Sequence, residues 1–237
     1  MTAITPEILL RAYRAGIFPM AEDASATELF WYDPPERAVL PLDRFHVPGR
    51  LARTIRKRPY RITADRDFSA VIAACAAPNA AMKRGRTWIN EEIAGLYTAL
   101  HRQGHAHSLE AWRDGRLAGG IYGVSIGGAF FGESMFSTAT DASKICLVYL
   151  AALLRRQGYA LFDAQFMTPH LRQFGATEIS RADYHERLRN ALSLQCEFLG
   201  EFSGDFSGGI SGTGTDGAGG VLDEAAMAFL HDMTQTS

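Results

Sequence analysis

GHAHSLEAWRDGRLAGGIYGVSIGGAFFGESMFSTATDASKICLVYLAALLRRQGYALFDAQ, from Gly104 to Gln165, is the part of the chain from which the architecture can be read. Ser108–Arg113 and Arg116–Val124 flank Asp114-Gly115, a dipeptide that tolerates positive φ and so favours a two-residue hairpin turn. A second break at Gly127-Gly128 leads into Ala129–Phe136. Three strands therefore follow one another as an antiparallel meander, apolar enough for the centre of a sheet. Asp141 stands where an N-cap is expected. Leu147, Leu150, Ala151 and Leu154 then recur at helical spacing up to a stop at Gly158, which predicts a helix with one buried stripe. Ala160–Phe166 is a fourth strand.

That strand carries the strongest chemical signal. Successive side chains of a strand point to opposite faces, so Phe162, Ala164 and Phe166 share one face while Asp163 and Gln165 share the other, with Cα atoms roughly 6–7 Å apart. A carboxylate and an amide in an apolar strand cost free energy unless each finds a partner. They either satisfy a neighbouring loop or belong to a site. Glu133, in the adjoining apolar run GGAFFGESMF, favours the site: two acidic groups and an amide converging on one pocket.

Working outward, the 237 residues are 47% hydrophobic, enough for one large core or two modest ones. Thr5 and Pro6 open a first helix with Leu9, Leu10 and Tyr13 on its apolar side, and Gly16 ends it. A Pro- and aromatic-rich stretch follows. From Tyr60 the pattern changes to a strand, Arg61–Ala64, and a helix, Phe68–Ala76, which puts a domain boundary near Pro59. The expected organisation is a small N-terminal α/β domain (1–59), a larger α+β domain (60–194) and an acidic, glycine-rich tail (195–237). Gly204–Gly220 holds eight glycines in seventeen residues and reads as a flexible linker. Val221–Met233 reads as a last helix.

Charge is distributed unevenly. Residues 195–237 contain seven acidic residues and no Lys or Arg, leaving 24 basic against 19 acidic residues, a net charge of +5, in residues 1–194. Arg50, Arg53 and Lys57 fall on one helical face at i, i+3 and i+7, with Leu51 and Ile55 able to point inward. Such a row is either a solvated face or a track for RNA phosphates, extended by Lys83, Arg84 and Arg86.

Cys75, Cys146 and Cys196 are far apart, odd in number and in no CxxC pair, so they read as reduced thiols of a cytosolic protein. No apolar run approaches the ~20 residues needed to span a bilayer, so no membrane association is expected. His105 and His107 form an H-x-H with no supporting third ligand, and His170 is equally isolated; structural histidines fit better than a metal site. No G-K-[ST] phosphate loop is present, and the [RQ]-x-x-G-x-[GA] loop that an acyl-CoA acetyltransferase needs is missing at Ser134–Lys144. No cofactor is expected.

Several runs together resemble one family, the leucyl/phenylalanyl-tRNA–protein transferases: Arg11–Pro19 (RAYRAGIFP), Pro35–Leu40 (PERAVL), Thr87–Asn90 (TWIN), Gly104–Ser108 (GHAHS), Gly132–Ser137 (GESMFS), Asp141–Lys144 (DASK) and Asp163–Gln165. The resemblance implies a GCN5-related acyltransferase-like domain with a mostly antiparallel sheet and flanking helices. It also implies an enzyme that moves Leu or Phe, less often Met, from aminoacyl-tRNA to the N-terminal Arg or Lys of acceptor proteins, marking them for degradation as N-degrons. Asp163, Gln165 and Glu133 are then the catalytic candidates. Trp88, Ile121, Phe130, Gly132 and Leu150 are the candidates for the amino-acid pocket, and the basic residues named above are those for tRNA. Thr138, where the family usually has Arg, and Pro48-Gly49 depart from the common pattern. A monomer is expected. The alternative class is a non-catalytic tRNA- or peptide-binding module on the same sheet.

Overall fold

The computed structural model describes residues 4–21, 29–77, 88–199 and 217–235. The chain opens with helix α1 (Pro6–Arg14), where Thr5 Oγ1 accepts the Ile8 N–H at 3.3 Å and Pro6 occupies the first turn. Strands β1 (Phe18–Met20) and β2 (Phe30–Tyr32) pair as a small antiparallel sheet. Then come β3 (Glu36–Leu40), α2 (Gly49–Arg56), β4 (Arg61–Ala64) and α3 (Phe68–Ala76). Helix α4 (Glu91–Arg102), capped by Asn90, precedes β5 (Ala106–Arg113), β6 (Arg116–Ile126) and β7 (Ala129–Ser137). Helix α5 (Ala142–Arg156), β8 (Leu161–Gln165), α6 (Pro169–Arg172), β9 (Thr177–Ser180), α7 (Arg181–Leu192) and α8 (Gly217–Gln235) complete it.

Seven strands form the main sheet in the order β4-β5-β6-β7-β8-β3-β9. All neighbours are antiparallel except β7 and β8, which are parallel and joined by the crossover through α5. The β5–β6 hairpin turns as its residues predict, with positive φ at both Asp114 (51°) and Gly115 (71°). The fold is thus α+β, built on a mixed, mostly antiparallel sheet. Strand β3, from the first 59 residues, lies between β8 and β9 in this sheet. The expected boundary near Pro59 therefore does not separate two sheets. The apolar run Ala38-Val39-Leu40 fits a central strand, but nothing local in it names its partners.

Helices cover both faces. One core joins α2, α5 and α8 to the sheet through Leu51, Ile55, Leu147, Leu150 and Phe229; the other joins α1, α3, α4 and α7 through Leu9, Tyr13, Val71, Tyr97 and Leu188. Helix α5 is buried from Ala142 to Leu154 on every side except around Lys144, not along one stripe as its spacing predicts. The reason is α8, which packs on α5 with Leu222, Ala226, Phe229 and Leu230 and gives Asp223 to the Tyr149 hydroxyl at 2.6 Å. Asp141 occupies the N-cap position of α5 in a left-handed conformation without capping it; its carboxylate pairs with Lys144 at 2.9 Å instead. The linker expected at Gly204–Gly220 lies, up to residue 216, outside the described residues.

Candidate active site

Two irregularities in neighbouring strands create the site. Between β6 and β7, Gly123 pairs with Gly132 and Tyr122 with Ser134, so Glu133 is the extra residue of a β-bulge. A bulge re-aims a side chain that strict alternation would send elsewhere. Gly123 is needed opposite it, because a Cβ there would collide with the Phe131 carbonyl oxygen. The parallel ladder of β7 and β8 runs only from Ala129↔Leu161 to Phe131↔Asp163. Beyond that last pair, Gln165 adopts φ 63°, an uncommon conformation for a residue with a side chain.

The two side chains meet where the ladder stops. Gln165 Nε2 donates to Glu133 Oε1 at 3.0 Å. Glu133 also accepts from the Tyr13 hydroxyl at 2.7 Å and from the Tyr97 hydroxyl at 2.9 Å, the two tyrosines being 2.5 Å apart. Burial pushes the Glu133 carboxyl up to about 7, against the lowering effect of these three donors. Burial and the neighbouring Glu133 push both tyrosines well above their ordinary range, so they remain donors.

Asp163 lies behind this contact, fully buried. It accepts Arg37 Nη2 at 2.7 Å, Arg37 Nε at 2.9 Å, the Tyr184 hydroxyl at 2.8 Å and the backbone N–H of Gln165 at 2.8 Å. Burial alone would lower the pKa of Arg37, but the carboxylate of Asp163 outweighs it and the pKa is raised.

A cavity of about 420 Å³ opens on the Glu133–Gln165 pair. Its walls are mainly apolar, with Leu40, Ile121, Met135, Leu147, Phe162 and Leu171 prominent, and Gly132 and Ala164 also reach it. Of the residues expected there, Ile121, Gly132, Glu133 and Gln165 line it. Asp163 does not, because the positive φ of Gln165 breaks the alternation and sends the two side chains to different surroundings. Phe130 is buried between Phe162 and Phe198, and Leu150 lies in the core around α5; neither lines the cavity. Trp88 packs edge-on against Tyr97 at 6.5 Å, one ring away from Glu133, with the core on the opposite face of the sheet.

Arg37, Tyr13, Tyr97 and Tyr184 escaped the sequence reading as members of the site. Tyr13 and Arg37 sit within RAYRAGIFP and PERAVL, and an arginine inside an apolar strand is itself a signal of a buried ionic partner.

The basic helix is as expected: Arg50, Arg53 and Lys57 are exposed, while Leu51, Ala52 and Ile55 are buried. Lys83, Arg84 and Arg86 lie outside the described residues. His107 bonds Asp65 at 2.6 Å and stacks on Phe198, a structural role. Among the described residues, no group of three or more His, Cys, Asp or Glu is placed to hold a metal ion, and no helix is long and apolar enough to cross a membrane.

These features define an α+β protein whose sheet parts at an apolar cavity closed by a carboxyl and an amide. The family model described as leucyl/phenylalanyl-tRNA protein transferase matches residues 39–189, and the model of that family's N-terminal domain matches residues 2–35. The chain is 50% identical over 232 residues to a leucyl/phenylalanyl-tRNA–protein transferase of Hyphomonas neptunium, across 98% of this chain and 88% of the relative. The chain belongs to the leucyl/phenylalanyl-tRNA protein transferase family. Among solved structures, the C-terminal DUF2156 domain of an Agrobacterium fabrum protein described as a lysylphosphatidylglycerol synthetase aligns loosely, with TM-score 0.38 and 14% identity, over 83% of this chain and 62% of that one.

Proposed function

We propose that this protein is an aminoacyltransferase that moves Leu or Phe, and less often Met, from aminoacyl-tRNA to the N-terminal Arg or Lys of acceptor proteins, marking them as N-degrons. The observation that carries the reading is the apolar cavity of about 420 Å³ ending at Glu133 and Gln165. Its walls suit an uncharged side chain, and its end supplies the groups an α-amine needs. The larger unit, residues 60–194 with β3, is read as acyltransferase-like, and the protein as a cytosolic monomer.

The chemistry asks little of the enzyme. Aminoacyl-tRNA is an activated ester, and an α-amine of pKa ~7.7–8.0 is already roughly a tenth neutral at pH 7. The amine attacks the ester carbonyl; the C–N bond forms, the bond to the ribose oxygen breaks, and the proton leaves with that oxygen, directly or through water. Because Gln165 Nε2 is held by Glu133, its carbonyl oxygen is presented to accept a hydrogen bond from the attacking amine. Glu133, as carboxylate, holds the cationic amine of the bound aminoacyl group. Holding the two reactants in register is the main source of acceleration.

One assay tests the reading: transfer from tRNAs charged with Leu, Phe, Met, Asp and Glu to peptides beginning with Arg, Lys, Asp and Glu. Leu and Phe should pass to Arg- and Lys-peptides. Efficient transfer of Asp, or tRNA binding without turnover, would overturn it.

A further inference from the structure

Arg37 is 1% exposed on β3, between β8 and the edge strand β9. Its guanidinium is sandwiched between the rings of Phe18 and Tyr184, at 4.2 and 4.5 Å from their centroids. It donates to Asp163 through Nε and Nη2, and to the Gly16 carbonyl through Nη1 at 3.3 Å. Stability alone does not explain such a pair, since replacing buried ion pairs by apolar residues is often neutral or stabilising. Two routes lead from it into the cavity. Through Asp163 Oδ1 it reaches the N–H of Gln165, whose left-handed backbone is unfavourable for a residue with a side chain and persists only if held. Through Gly16 it reaches the end of α1, the helix whose Tyr13 hydroxyl donates to Glu133. Asp163, its oxygens filled by donors and its surface fully enclosed, is an anchor here and touches nothing that reacts.

We propose that Arg37 is a positioning residue for aminoacyl transfer, which locks Asp163 and thereby holds Gln165 in the left-handed turn that aims its amide at the cavity. The proposal rests on the transfer reading given above. It assigns the fork of the guanidinium, and not its charge alone, to the role, because only a planar, two-pronged donor engages both Asp163 oxygens at once.

The test compares Arg37→Lys with Tyr184→Phe, a milder variant that removes one donor from Asp163 and leaves Arg37 in place. Two quantities are read in the full chain: the NMR signal of the Gln165 amide without substrate, and kcat against KM for charged tRNA. The expected result is that the Gln165 amide signal moves in both variants while signals of the β5–β6 hairpin stay. In parallel, kcat falls at least tenfold in Arg37→Lys and about threefold in Tyr184→Phe, with KM within twofold. A Gln165 signal that stays in both variants overturns the proposal, as does a moved signal with parental kcat. Loss of thermal stability with parental kcat, the outcome of a merely structural pair, overturns it too. Should the unsubstituted protein transfer neither Leu nor Phe, the transfer reading falls, and with it this role.

Discussion

The backbone N–H of Gln165 donates to Asp163 Oδ1 at 2.8 Å, so the carboxylate two residues earlier in β8 fixes the residue whose amide closes the cavity. These two side chains do not act side by side on a common face. One is buried machinery of the scaffold and the other faces the ligand space. That division assigns the pH-sensitive part of the site to Glu133, which has no cationic partner among its hydrogen bonds.

Glu133 should therefore leave a limb in the pH profile. With its carboxyl raised to about 7, kcat/KM for charged tRNA should rise with pH through that region as the carboxylate forms. Glu133→Gln should lower kcat/KM overall and lose less of it between pH 8 and pH 6.5 than the parent does. Hydrogen bonds to the ionised form lower a carboxyl pKa, so Tyr97→Phe should move the limb to higher pH. Identical profile shapes for the parent and Glu133→Gln would refute this.

We propose that the cavity sets the choice of amino acid by volume. Ile121 is 3% exposed and lines it, so Ile121→Phe fills space that a Phe side chain needs more than a Leu side chain does. Overpacking should cost about 1–3 kcal/mol of stability. Single-turnover transfer should show Phe falling at least tenfold relative to Leu; an unchanged Phe-to-Leu ratio would place the amino acid elsewhere.

We propose that the exposed row Arg50, Arg53 and Lys57 is a phosphate track and not a merely solvated face. Reversing Arg53 and Lys57 to Glu should raise KM for every charged tRNA about equally and leave kcat largely intact, because phosphates carry no sequence information. Losing two contacts should also flatten the log–log salt dependence of affinity by roughly 1.4–1.8. Unchanged affinity at low salt would remove α2 from the RNA site.

Helix α8 should contribute stability rather than chemistry, since none of its described residues lines the cavity. Phe229 is 4% exposed and packs against Phe45 at 5.6 Å. Phe229→Ala should destabilise by about 3–5 kcal/mol in urea titration. Transfer kcat at a temperature where the variant stays folded should match the parent; a tenfold fall would tie α8 to the site.

Local pattern by itself determined the β5–β7 meander, its Asp114-Gly115 turn, the extent of α5, the polarity of α2 and the choice of Glu133, Asp163 and Gln165 as the residues to watch. Each of these depends on interactions between near neighbours in the chain: a turn that needs positive φ, a helical repeat, a polar group stranded in an apolar strand. Tertiary structure alone decided the rest. The bulge that frees Glu133 exists because Gly123 of the partner strand leaves room for it. The left-handed turn at Gln165 overrides strand alternation, which is why Asp163 is an anchor and not a cavity wall. Arg37 joins the site because β3 enters the sheet beside β8, 126 positions away in sequence, and α5 is enclosed because α8 returns to cover it. Pairings between distant segments are selected by the burial they achieve together, a quantity that no single segment carries in its own pattern.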